Sequence, residues 1–194
     1  PTAAPAAVED VPVVDAAAQP QLSLNCRAAI LVDQDTGTVL YEKNADEQVP
    51  IASITKVMTL CLVFQALDSG QLSLDQTLTA SAHAASMGGS DIWLEEGESM
   101  TVDDLIKATV IMSANDAAVV LAEAVAGSEE AFVAQMNEKA QQLGMNDTVF
   151  KNCNGLDEEG HVTSAYDVAL MSRELIRHEK IFDYTPVSYT HLRA

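Results

Sequence analysis

The 194 residues carry 29 Asp and Glu against 10 Lys and Arg, a formal net charge of -19, which disfavours nucleic acids and anionic membrane surfaces as partners. Apolar residues make up 48 % of the chain, enough for one sizeable core, yet no stretch reaches the roughly 18 to 20 apolar residues of a membrane span. Cys26, Cys61 and Cys153 have neither an even count nor metal-ligand spacing, which argues against a disulfide framework and against a zinc site.

Residues 1–24, rich in Ala, Pro and Val without strand or helix period, read as a disordered linker. The start lacks the charged and apolar segments of a signal peptide, which, if one existed, has been removed. Ala28–Val32 and Thr38–Tyr41, either side of the turn residues Asp33–Gly37, read as a β-hairpin. Pro50 then reads as the opening of a buried helix, because Ile51–Leu67 is apolar nearly all round and ends at Asp68-Ser69-Gly70.

Leu72–Gly97 has no strong period and reads as loops with short elements. Its tryptophan, Trp93, is assigned to core packing rather than to a cleft. Thr101 with Asp104 makes a start like a capping box for an amphipathic helix that ends near Met112. Asp116–Ala126 reads as a helix closed by Gly127, and Ser128 as the N-cap of another that stops at Gly144. A turn-rich stretch, Asn146–Gly160, precedes a last helix over Ser164–His178.

The feature richest in chemistry is Ser53-Ile54-Thr55-Lys56. Residues three apart share a helix face, so a hydroxyl and an amine meet at the start of the buried helix. A serine hydroxyl needs a base to take its proton, and burial can bring a lysine toward neutrality for that task. Lys56 is the only charge between Gln48 and Asp68, and a buried ammonium costs several kcal/mol unless it has partners. The bland reading is that Ser53 caps the helix while Lys56 snorkels to solvent. A second constellation, Ser113-Ala114-Asn115, lies between two expected helices. Its hydroxyl can relay a proton and its amide can bind the lysine, although Ser and Asn at a helix junction are ordinarily caps. His83, His161, His178 and His191 form no metal-like pair and read as surface or hydrogen-bonding residues.

The order and surroundings of these two motifs resemble the penicillin-binding serine D-alanyl-D-alanine carboxypeptidases, the peptidase S11 family. The resemblance runs from about Ala28 to Ile176 and rests on Ala52–Thr59, Met112–Ala118, Met136–Ala140, Leu143-Gly144-Met145, Asn154-Gly155-Leu156 and Gly160-His161. It implies an α/β (α+β) fold of the β-lactamase/transpeptidase type, with residues 25–187 as a partial catalytic domain. By the same resemblance Ser53 forms the acyl-enzyme, Lys56 accepts its proton, and Ser113 and Asn115 complete the second motif. No cofactor is implied. The implied partners are peptidoglycan stem peptides and β-lactam antibiotics, the implied location is extracytoplasmic, and any membrane attachment would use an anchor absent from this chain.

The family's third motif, Lys-Thr-Gly on a strand lining the opposite wall of the cleft, has no counterpart here: the only Thr-Gly pair, Thr36-Gly37, sits in the hairpin turn. The chain is therefore expected to be C-terminally truncated, lacking the remaining strands of the sheet and inactive by itself, with residues 188–194 a non-native tail. The rival readings are a serine β-lactamase and a non-catalytic cell-wall-binding fragment. Against the first, Ala114 stands where class A enzymes carry Asp, and no Glu-x-x-Leu-Asn loop follows.

Overall fold

The computed structural model describes Pro12, Val14 and residues 20–185. In chain order the elements are β1 (Ala29–Val32), β2 (Val39–Lys43), β3 (Val49–Pro50), a 3-10 turn (Ala52–Ile54), α1 (Thr55–Asp68), β4 (Thr77–Thr79), α2 (Ala82–Ala85), β5 (Ser99–Thr101), α3 (Val102–Ile111), α4 (Asn115–Ala126), α5 (Glu129–Gln142), β6 (Val162–Thr163), α6 (Ala165–Leu175) and a closing 3-10 turn (Glu179–Asp183). Most of the expected linker and the expected tail, residues 188–194, lie outside the described residues. Within the linker, Val14 N donates to Val39 O and Val39 N to Pro12 O, so this edge of β2 is hydrogen-bonded there.

The core forms around two helices that are apolar for different reasons. α1 carries large side chains on every face, and Met58, Val63 and Phe64 are fully buried, each such burial worth about 1.5–3 kcal/mol. α4 is built from Ala and Val, with Ala117, Ala118, Val119 and Leu121 at 0 % exposure, and small side chains let neighbouring helices approach it closely. Helices α3 and α5 pack on α4, whereas α6 joins α1 to the first strand of the hairpin.

The strands form three separate antiparallel pairs: β1 with β2, β3 with β6, and β4 with β5. Sequence reading anticipates the hairpin, whose register breaks between Leu31 and Val32, and the caps Thr101 and Ser128, each accepting a backbone N–H from three residues on. Gly127 closes α4 at φ 86°, and Ser164, read only as the start of the last helix, caps α6 in the same way.

The start of the buried helix differs from the expectation. Pro50 belongs to β3, where Val49 and Pro50 pair with Thr163 and Val162, and α1 begins only at Thr55. The pairing partner lies over a hundred residues away, beyond any local signal. The intervening 3-10 turn holds Ser53.

Candidate active site

Ser53 lies exposed in the 3-10 turn, directly after Ala52, whose φ is +48°. A left-handed alanine costs about 1–2 kcal/mol, so the surrounding contacts must impose it. One turn on, Lys56 is only 4 % exposed. Its Nζ lies 2.6 Å from Asn115 Oδ1, 2.6 Å from Asn154 O and 3.3 Å from Ser53 Oγ. An ammonium has three donors and no acceptor, so these three oxygens satisfy it completely.

The unequal distances carry chemical meaning. Asn115 Oδ1 and Asn154 O can only accept, so they hold two N–H bonds in either charge state of the amine. The third and longest contact is to a hydroxyl, which can also donate. When Lys56 is neutral, its lone pair is therefore left facing the Ser53 hydroxyl proton. Burial lowers the Lys56 amine to about 8, within reach of the neutral form near physiological pH.

Asn115 is the first residue of α4 and serves both walls of the site. Besides binding Lys56 through Oδ1, it donates from Nδ2 to Gly88 O at 2.7 Å and from its backbone N to Ser90 O at 2.7 Å. Its neighbour Asp116, 1 % exposed, accepts from the backbone N–H of Ile92, Leu94 and Ala117. Together they pin residues 88–94 against α4.

The other wall is the turn 152–155. Its Cys153 is tied at both backbone groups, the N–H to Glu129 Oε1 at 3.0 Å and the carbonyl to Thr59 Oγ1 at 2.6 Å. That double anchor aims the next carbonyl, Asn154 O, at Lys56. Gly155 follows at φ +90° and lies so close to the nucleophile turn that a Cβ there would meet Ala52 O at 2.0 Å. Burial holds the Cys153 thiol well above its ordinary pKa, so it stays protonated and inert.

Three of the four expected site residues, Ser53, Lys56 and Asn115, are joined by these hydrogen bonds. Ser113 is not: no side-chain hydrogen bond links it to Ser53 or Lys56 among the described residues. It occupies the α3–α4 junction at φ +55°, and Ala114, its neighbour, is fully buried. Trp93 departs from its core assignment, being 82 % exposed at φ +57°, because the backbone N–H groups on either side of it are held by Asp116 and turn its side chain outward. Left-handed residues other than glycine concentrate at functional sites, and Ala52, with φ +48°, directly precedes Ser53.

Sequence reasoning gave no site role to Asn154 O, Gly155, Asp116 or the pair Thr55–His161, although the family resemblance runs through all of them. A backbone carbonyl has no residue signature. His161 is 4 % exposed, with Nε2 2.7 Å from Thr55 Oγ1 and Nδ1 accepting from Lys151 N at 2.9 Å. Burial lowers its pKa, the Lys151 charge adds to this, and Glu158 opposes it. The unfolded imidazole, with a pKa near 6.5, therefore binds a proton before the folded one, so stability should fall as pH drops below about 6.5. Urea unfolding between pH 8 and 5 should show this acid loss, and His161→Gln should flatten it.

A cavity of about 460 Å³ opens beside Ala52 and Gly155, bordered by Asp157, Glu158 and Glu159 and by no Lys or Arg. It is unsuited to a carboxylate. Among the described residues, no group of three or more His, Cys, Asp or Glu is placed to hold a metal ion.

Comparison with known proteins identifies the family. The sequence profile of the peptidase S11 family, described as D-alanyl-D-alanine carboxypeptidase, matches residues 14–193. The D-alanyl-D-alanine carboxypeptidase DacF of Bacillus subtilis is 49 % identical over 173 residues, 89 % of this chain and 44 % of its own length. DacC of Escherichia coli is 41 % identical over 160 residues, 79 % of this chain and 40 % of its own. The chain thus spans about two fifths of the length of these relatives. Among solved structures, the carboxypeptidase DacD of Francisella tularensis superposes with a TM-score of 0.78 at 35 % identity, covering 88 % of this chain and 40 % of that one. Penicillin-binding protein D2 of Listeria monocytogenes, in its ampicillin-bound form, gives 0.75 at 36 % identity, with 86 % and 68 % covered.

Proposed function

Since the chain belongs to the peptidase S11 family of D-alanyl-D-alanine carboxypeptidases, we propose that this protein acts as a serine-type carboxypeptidase on peptidoglycan stem peptides and is acylated by β-lactams at the same hydroxyl. The observation that carries the reading is the buried Lys56 amine, held by two pure acceptors and facing Ser53 Oγ. Ser53 Oγ attacks the carbonyl of the penultimate D-alanine while its proton passes to Lys56. The C–N bond then breaks, the leaving D-alanine takes that proton, and water hydrolyses the ester on Ser53. Asn115 holds Lys56 in line throughout. Ser113 has the role of relaying the proton toward the leaving amine, and the strained junction where it sits supports that assignment.

The bound β-lactam of the Listeria relative supports acylation here by analogy. The proposed substrate class implies work outside the cytoplasm, in building the cell wall and maintaining cell shape. Incubation of a chain extended through the family's third motif with a fluorescent penicillin, followed by peptide mapping, should locate one covalent adduct on Ser53. An adduct elsewhere, or none, would defeat the assignment. The labelling rate should climb with pH through about 8, as Lys56 loses its proton. A rate that is flat between pH 6 and 9 would exclude Lys56 as the base.

A further inference from the structure

Thr55 is the first residue of α1 and follows an N-cap, Ile54, that makes no side-chain cap bond. The Thr55 hydroxyl points backwards and donates to Ala52 O at 2.7 Å. A hydroxyl has one proton, and a carbonyl can only accept, so that proton is committed to Ala52.

The second contact of Thr55 Oγ1, 2.7 Å to His161 Nε2, must therefore be one in which Thr55 accepts, and Nε2 must carry a hydrogen. At the other end of the ring, Nδ1 accepts from Lys151 N and must be bare. The network thus assigns a single form, the neutral imidazole protonated on Nε2. One directed chain runs from the Lys151 N–H through His161 and Thr55 to the carbonyl preceding the nucleophile.

We infer that His161 is a positioning residue for the nucleophile: through the Thr55 hydroxyl it fixes the Ala52 carbonyl, and with it the peptide whose N–H belongs to Ser53. A trans peptide is planar, with its N–H directed opposite its carbonyl, so orienting one orients the other. Ala52 is the residue held at φ +48°, the conformation that an unassisted alanine avoids. The ring is fixed in turn, since His161 N donates to Glu158 O at 3.0 Å and Phe150 packs edge-on at 6.0 Å between ring centroids. Thr55 and His161 are 106 positions apart in sequence, so this lock forms only when the domain closes. The inference rests on Ser53 being the acylated residue.

The test compares Thr55→Val, Thr55→Ser and His161→Ala, singly and combined, in the chain extended through the third motif, by the rate of Ser53 labelling with a fluorescent penicillin. Thr55→Val keeps the shape and removes the hydroxyl; it should slow labelling by about 10-fold or more, as small misplacements of a nucleophile do. Thr55→Ser should recover the rate to within about threefold. Because the two residues act as one unit, adding His161→Ala to Thr55→Val should cost no more than about threefold further. Should His161→Ala not fold, nitrogen chemical shifts of the labelled imidazole still decide the point, and they should report a protonated Nε2 and a bare Nδ1. Labelling of folded Thr55→Val at the unsubstituted rate, fully multiplicative losses in the double variant, or a proton on Nδ1 would overturn the inference. Failure of the unsubstituted protein to label would instead overturn the acyl-transfer reading. The imidazole signals, and the protection of the Ser53 amide from exchange with and without Thr55→Val, would then decide the positioning alone.

Discussion

Replacing Lys56 with Met is expected to slow acylation of Ser53 by about 10²–10⁴-fold, the usual worth of a positioned general base, while leaving the fold intact. Both halves follow from the site. Among the described residues, the hydrogen bond made by the Ser53 hydroxyl is with Lys56 Nζ, at 3.3 Å. Stability is governed by two opposing terms of similar size. Lowering the amine from 10.5 to about 8 corresponds to about 3 kcal/mol against the buried charge at neutral pH, which Met relieves. Removing the amine also leaves Asn115 Oδ1 and Asn154 O without their donor, at about 1–3 kcal/mol each. The thermal midpoint should therefore move by only a few degrees in either direction. Labelling at the unsubstituted rate would point to a different base, and outright unfolding would mean that Lys56 is chiefly a structural tie.

Gly155→Ala is expected to be the most damaging single-methyl change in the described residues. At φ +90° an alanine is strained, and its Cβ would lie 2.0 Å from Ala52 O, 2.4 Å from Ala52 C and 2.8 Å from Ser53 N. These are backbone atoms of the nucleophile turn, so no side chain can rotate away. Strain and overpacking together should cost about 2–5 kcal/mol, and a displacement of Ser53 near 1 Å should cost about 10²-fold in acylation. Gly127→Ala provides the control: its φ is +86°, yet nothing lies within 4 Å of the added methyl, so it should lose about 1–2 kcal/mol and no acylation rate. Equal losses at the two positions, measured by thermal unfolding and labelling, would show that the contact with the Ser53 turn is unimportant.

The same backbone contact explains a division in what could be read from residues alone. Caps, turn glycines and apolar periods act over three or four positions, so Thr101, Ser128, Ser164 and Gly127 mark their helix ends where the structure has them. Ser53 and Lys56 are legible for the same reason: their spacing puts hydroxyl and amine within one helical turn.

Packing between distant segments supplies the remainder. The second acceptor of Lys56 is a carbonyl 98 positions downstream, and any residue type could have provided it. Pairing of β3 with β6 moves the helix start from Ile51 to Thr55, because a strand partner late in the chain outweighs the local helical pattern around Pro50. Trp93 is apolar and bulky, hence assignable to a core, yet Asp116 captures the backbone on both sides of it and leaves the ring 82 % exposed. His161 looked like an ordinary polar residue until the fold set its two nitrogens between Lys151 N and Thr55 Oγ1. Local residue chemistry thus accounts for the helices and the nucleophile–base pair, whereas the tuning of that pair depends on groups that only long-range burial brings within hydrogen-bond reach.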